Sequence, residues 1–184
     1  MRYKKLLIFV EGDRDARFFK RIYKPLLDSI YSLVSIQQWR REKKDKILGL
    51  IRTTNQNQDN YIFTSDVNNR CIKEKKEELK ITFNGLEEEK IMVIVKKIEG
   101  WYLAGLNEIN SKKIGIECFE NTNTVGSGKF NSMAKMKKTN ELDLMLEILD
   151  IFDFETALQK NLSFKRFFEK TCKNYLPRTN EENI

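Results

Sequence analysis

Two acidic clusters, each directly after an apolar run, are the best candidates for chemistry in this chain. Leu6-Leu7-Ile8-Phe9-Val10 leads into Glu11, Gly12, Asp13, Arg14 and Asp15. Tyr61-Ile62-Phe63-Thr64-Ser65 leads into Asp66, with Asn68 two residues further on. Carboxylate oxygens suit Mg²⁺, which takes one or two protein carboxylates, keeps several waters and is often completed by phosphate. Such a site serves phosphodiester chemistry by activating a nucleophile and steadying the leaving oxygen. If the two strands are neighbours, Glu11 and Asp66 converge as oxygen ligands of such an ion. The plainer alternative is that Asp13 and Asp15 favour a helix start through its dipole and that Glu11 is a solvated strand end.

The composition narrows the choices. The chain has no histidine, which removes His general bases, Ser-His-Asp and Cys-His arrangements and imidazole-ligated zinc. Cys71, Cys118 and Cys172 are odd in number and far apart, a pattern of neither a disulfide framework nor a zinc knuckle. Reduced thiols and a cytoplasmic location are expected. No apolar run reaches membrane-helix length and no signal peptide precedes Leu6, so no membrane partner is expected. The formal net charge of +7 suggests a polyanionic partner, although basicity also keeps proteins soluble. What is left for catalysis is carboxylates, lysines and a hard metal.

The elements that must hold these residues follow from periodicity. An uninterrupted apolar run bounded by glycine reads as a strand buried on both faces of a parallel sheet, and ligands of open parallel sheets sit beyond the strands' carboxyl ends. Leu6–Val10, Tyr61–Asp66 and Ile91–Val95 are such strands, and Leu33–Trp39 is another with alternating Val34 and Ile36. Asp15–Leu27 has a wide apolar helical face, with Pro25 expected to end or kink it. A short helix is expected around Ile47–Ile51, then a polar loop from Thr53 to Asn60. Residues 69–80 read as a charged helix with Cys71, Ile72 and Leu79 inward, and Asn84-Gly85 as a turn. Ile98–Leu106 is expected to be helical. Asn107–Lys129 has weak periodicity, with Ile114–Phe119 as an edge strand. Two further helical stripes are Leu142, Met145, Leu146 and Leu149, and then Phe164, Phe167, Phe168, Cys172 and Tyr175. The end of the chain from Pro177 reads as frayed. Alternating strands and helices predict an α/β, three-layer, Rossmann-like domain with a mainly parallel sheet of about four strands. Residues 1–106 form the expected core, and 107–184 a loop and helical extension packed on it.

Val10-Glu11-Gly12-Asp13-Arg14-Asp15 resembles the first motif of the Toprim superfamily, the domain shared by bacterial-type primases, type IA and type II topoisomerases and OLD nucleases. Thr64-Ser65-Asp66-Val67-Asn68 stands where the second motif, Asp-x-Asp, belongs. Ile98-Glu99-Gly100-Trp101-Tyr102-Leu103 and Leu162-Ser163-Phe164-Lys165-Arg166-Phe167 are similar to small standalone Toprim-like proteins that occur beside ATPases in prokaryotic defence loci. The resemblance implies a Mg²⁺- or Mn²⁺-dependent enzyme acting on nucleic-acid phosphodiesters, most simply a nuclease, with a partner ATPase and a defence role. It implies Glu11 as general acid/base or ligand, Asp66 as the main ligand, and Asn68 and Asp15 as supporting ligands. Asn68 departs from the motif: a neutral oxygen replaces the second acid, which favours one weakly held Mg²⁺ over two metals. Glu99 is a candidate to compensate.

Val125-Gly126-Ser127-Gly128-Lys129 is not a P-loop, because Asn123 stands at the first glycine and Phe130 replaces Ser/Thr. It still reads as a loop able to approach a phosphate. With Lys135, Lys137 and Lys138, Lys129 forms a basic run whose plain reading is solvated surface. Arg14, Arg70, Lys129 and Lys135 are the candidate phosphate contacts, and Lys129 a candidate charge stabiliser in catalysis. Two alternatives accompany the nuclease. One is a catalytically silent Toprim-like module that binds nucleic acid or an ATPase, which Asn68 favours. The other is a receiver- or flavodoxin-like regulator, with Asp66 as phosphoacceptor and Lys96 as its lysine.

Overall fold

The structure is a computed structural model and describes residues 4–68 and 70–172. Strand β1 (Lys5–Val10) is followed by α1 (Asp13–Phe18), a π-helical turn (Phe19–Tyr23) and α2 (Lys24–Leu27). Then come β2 (Leu33–Gln38), a 3-10 turn (Trp39–Arg41), α3 (Lys44–Gln56), β3 (Asn60–Asp66), α4 (Ile72–Thr82), β4 (Ile91–Ile94) and α5 (Glu99–Ala104). The C-terminal part holds α6 (Glu108–Ile114), α7 (Ser127–Met136), α8 (Glu141–Asp150), α9 (Phe154–Lys160) and α10 (Leu162–Thr171).

The strands run in the order β2-β1-β3-β4, all parallel. The α/β fold with a four-stranded parallel sheet is therefore as the apolar runs foretell. From β1 the chain steps one way to β2 and the other way to β3, so the switch point of the sheet lies between β1 and β3. In such sheets this is where a crevice opens beyond the carboxyl ends. Phe9 pairs with Phe63, so Glu11 and Asp66 leave the sheet side by side.

The central strands β1 and β3 are buried on both faces and lack polar alternation, while the edge strand β2 alternates, with Leu33 and Ser35 exposed. Leu6, Ile8, Val10, Ile62 and Ile94 face one core, shared with Phe18, Phe19 and Tyr23 and with Trp101, Phe164 and Phe167 from the later helices. Phe9, Tyr61, Phe63 and Ile91 face the other, against Ile47, Ile51, Leu79 and Phe83 of α3 and α4. Each large side chain buried this way is worth about 1.5–3 kcal/mol. Within the first core Tyr23 donates to the Phe164 carbonyl at 3.0 Å, and Trp101 donates to the Ser163 hydroxyl at 2.8 Å.

Several local expectations are corrected. The expected helix does run to Leu27, but it starts at Asp13, and Pro25 does not end it: a π turn over Phe19–Tyr23 precedes the proline. Helix α3 begins at Lys44 and continues through Thr53–Gln56, where a loop was expected. Its outward residues there are polar, while Thr54 is buried and donates to the Leu50 carbonyl. In α4 the inward line is Lys75 and Leu79, and Cys71 and Ile72 are exposed. Ile114–Phe119 is not a strand. Helix α6 ends at Ile114, Gly115 turns left-handed at φ 70°, and Ile114, Ile116 and Phe119 pack on the first core instead of pairing. In α8 the buried line is Leu144, Met145, Ile148 and Leu149, leaving Leu142 and Leu146 exposed. Tyr175 and the segment from Pro177 lie outside the described residues. Among the described residues no helix is long and apolar enough to cross a membrane.

Candidate functional site

Four acids are buried where the switch point predicts a crevice: Glu11, Asp15, Asp66 and Glu99, each 5% exposed or less. Each comes from the end of a core element. Glu11 follows β1, Asp15 sits in the first turn of α1, Asp66 ends β3, and Glu99 opens α5 just beyond β4. They line a cleft of about 330 Å³ together with Gly12, Asp13, Arg14, Arg40, Lys97, Ile98 and Ser127. Five acids and three cationic side chains therefore face the same space. Larger grooves of about 480 and 580 Å³ run along α1, but neither contains any of the four buried acids.

Glu11 is the best fixed of the four. One carboxylate oxygen accepts from the Ser65 hydroxyl at 3.1 Å and from the Asp66 backbone N–H at 2.9 Å. The other pairs with the Arg40 guanidinium. Arg40 belongs to the 3-10 turn after β2 and lies over the Trp39 ring at 5.5 Å. Trp39 is tied to β3 by its indole N–H, which donates to the Thr64 carbonyl at 3.0 Å. Asp66 pairs with Lys97 at 3.3 Å. Glu99 pairs with Arg14, which also reaches Glu141 of α8.

Three oxygens of the other acids have no such partner. Oδ1 of Asp15, Oδ1 of Asp66 and Oε2 of Glu99 are buried without a hydrogen bond. Buried polar atoms are ordinarily satisfied, and an orphaned carboxylate oxygen is costly. Burial pushes the Asp15 carboxyl up to about 7, with further repulsion from Glu11 and Glu99. Burial, then Asp15 and Glu11, push Asp66 up to about 8, against the opposing pull of Lys97. Like charges gathered in a desolvated site raise one another's pKa, and a cation among them reverses this.

These features fit a divalent cation: three unsatisfied carboxyl oxygens, hard donors only, and an excess of acids over bases along the wall. Among the described residues no three acidic, His or Cys side chains stand as a ready-made metal cage. Instead Arg40, Lys97 and Arg14 each hold one of the buried acids.

The expected site residues divide clearly. Glu11, Asp15, Asp66 and Glu99 are brought together, and Arg14 lies with them. Asn68 is not part of the cleft wall. It sits in the turn after β3 at φ 55°, its backbone N–H donating to the Lys96 carbonyl. Arg70 pairs with Glu78 of α4, outside the cleft. Lys129 pairs with Glu117 at 2.7 Å and lies over the Phe119 ring, also outside it. Lys135 is exposed on the groove beside α1. Lys137 is engaged with the Ile114 carbonyl and Glu147. Arg40, Lys97, Ser65 and Glu141 were missed by sequence reasoning. Only Ser65 and Lys97 carried a local signal, being next to Asp66 and just beyond β4. No family model, curated protein or solved structure matches this chain.

Proposed function

We propose that the chain is a Toprim-like, Mg²⁺- or Mn²⁺-dependent enzyme of nucleic-acid phosphodiesters, most simply a nuclease. The observation that carries this reading is the set of three orphaned carboxylate oxygens buried at the switch point of a parallel sheet. Glu11, Asp15, Asp66 and Glu99 would hold the cation. When bound, it would supply an activated water and charge neutralisation at the phosphate. The chain's own residues do the rest. Ser65 and the Asp66 N–H hold Glu11 in one orientation. Arg40 is exposed and Lys97 half-buried, and both stand at the cleft, where their charge suits phosphate oxygens. Arg14, bridging Glu99 and Glu141, offsets part of their mutual repulsion.

A second reading is a silent module that binds nucleic acid or an ATPase. It is favoured by the ion pairs that already occupy Glu11, Asp66 and Glu99, and by Asn68 lying off the wall. Incubation of single-stranded and duplex DNA and RNA with protein and Mn²⁺ separates the two. The enzyme reading expects cleavage that needs the metal and vanishes in Glu11→Gln while binding persists. Binding with no metal-dependent cleavage supports the silent module, and undiminished cleavage by Glu11→Gln identifies a contaminant.

A further inference from the structure

One end of the cleft is not acidic. Helix α7 starts at Ser127, and Ser127 is part of the cleft wall with the four buried acids. No side chain caps this helix. Its first N–H to turn back into the helix is that of Phe130, which donates to the Gly126 carbonyl at 3.3 Å. The amides of Ser127, Gly128 and Lys129 therefore belong to the unsatisfied first turn, where backbone N–H groups and the helix dipole together attract anions. Gly126 and Gly128 leave that end open, because no atom lies within 4 Å of where a Cβ would stand on either.

The helix is held in this place by contacts that also fix Glu99. Gly100, next to Glu99, has no side chain, and a Cβ there would stand 2.9 Å from the Thr122 carbonyl oxygen and 3.4 Å from that of Val125. The loop leading into α7 thus rests directly on the backbone of α5. It is tied down at its other side, where Asn161 donates to the Thr122 hydroxyl at 3.0 Å and the Thr122 N–H donates to the Lys160 carbonyl at 3.0 Å.

A helix start alone would be only a favourable dipole. Here Asp15, Asp66 and Glu99, all nine-tenths or more buried, line the same cleft as Ser127, and each carries one buried oxygen without a hydrogen bond. Those oxygens call for a cation, while the amide end of α7 calls for an anion. A phosphate group carrying its own counter-cation satisfies both. We propose that the open start of α7, from Gly126 to Lys129, is a phosphate seat that faces the buried acids. Its amides receive phosphate oxygens while the acids hold the cation on the other side. The Lys129 ammonium takes no part, since it is engaged with Glu117. The seat rests on reading the cleft as a phosphodiester site, and it names the backbone that receives the substrate.

The test uses ¹⁵N-labelled full-length protein titrated with inorganic phosphate, with and without Mg²⁺, and with Mg²⁺ alone. Phosphate is expected to shift the Ser127 and Gly128 amides, with Mg²⁺ tightening its binding by about tenfold, an ordinary coupling between adjacent sites. Gly128→Asp puts a carboxylate in the seat. It is expected to abolish the phosphate response while leaving the melting temperature equal or higher, because acids are favoured in a first helical turn. Ser127→Pro deletes one seat amide at a position where helices accept proline, and the extended Gly126 (ψ 179°) suits a residue before proline. It is expected to weaken phosphate binding without unfolding the chain. Phosphate shifts confined to other amides, or wild-type phosphate affinity in Gly128→Asp, would overturn the seat. Mg²⁺ shifts around Asp66 with no phosphate response at Ser127 and Gly128 also sink the seat, yet leave the cation site standing. A phosphate response there that Mg²⁺ does not strengthen supports the seat and removes the metal enzyme.

Discussion

Replacing Asp66 by Asn should make the cation-free protein more stable. Asp66 is 4% exposed, has one orphaned oxygen and is held at about 8 instead of 3.8. A raised pKa means that the folded chain binds the proton more tightly than the unfolded chain. Stability from this group is therefore full below about pH 4 and is lost as pH rises through about 8. At roughly 1.4 kcal/mol per pH unit across that interval, the penalty at pH 8 is at most on the order of 5 kcal/mol. Asp15 shares the same repulsion and is also held up, at about 7. Attributing about half to Asp66 leaves ~2 kcal/mol, or roughly 4–8 °C in melting temperature for a chain of this size. Asn keeps the shape, removes the charge, and can still meet its neighbours through a carbonyl oxygen. The assay is thermal unfolding of wild type and Asp66→Asn in EDTA between pH 4 and 8.5. The expected gain is largest at pH 8 and fades toward pH 4. Adding 1 mM Mn²⁺ should raise the wild-type midpoint, by roughly 1–2 kcal/mol if the ion binds at ~0.1 mM, and raise the variant's far less. A variant less stable than wild type at pH 8, or a gain that ignores pH, would refute the account of Asp66 as a strained, cation-seeking acid.

Other expectations follow from single contacts. Gly100→Ala forces a methyl group against the Thr122 carbonyl at 2.9 Å, and should lower stability by about 1–3 kcal/mol in denaturant melts. If the protein binds duplex DNA through phosphates, Lys135→Ala should flatten the plot of log affinity against log salt by roughly 0.9. Lys129→Ala should leave that slope unchanged, because its ammonium is already paired with Glu117. Tyr23→Phe removes the second hydrogen bond to the Phe164 carbonyl in the core, and should cost about 1 kcal/mol in the same melts without altering any metal response.

The central strands and their acids were readable because each feature is local. Leu6–Val10 is apolar without a break and Tyr61–Phe63 starts the same way, so both faces had to be buried, and Glu11 and Asp66 follow as strand-end acids. The sheet order then did what no local pattern announces: it set β1 beside β3 and brought Glu11 against Ser65 and the Asp66 N–H. Glu99 was suspected only through its neighbours, since an acid at a helix start looks the same whether it caps the helix or lines a cleft. The partners of the acids were hidden for a different reason. Arg40 reaches Glu11, and Glu141 reaches Arg14, across long separations in the chain. Helix α7 escaped notice because Gly126 and Gly128, which open its start, also dilute its apolar stripe of Phe130, Met133 and Ala134. Ile114–Phe119 misled in the opposite sense. Its alternating apolar residues pack on the core as irregular chain, because Gly115 turns the backbone away at the end of α6.

The claim on which the functional account turns is that the buried acids at the switch point hold a divalent cation. Anomalous diffraction from crystals soaked in Mn²⁺ at pH 8 reads this directly. The account predicts one strong Mn²⁺ peak among the carboxylates of Glu11, Asp15, Asp66 and Glu99, reduced or lost in crystals of Asp66→Asn. Millimolar Mn²⁺ with no peak in that cleft, or an equal peak in the variant, would contradict it.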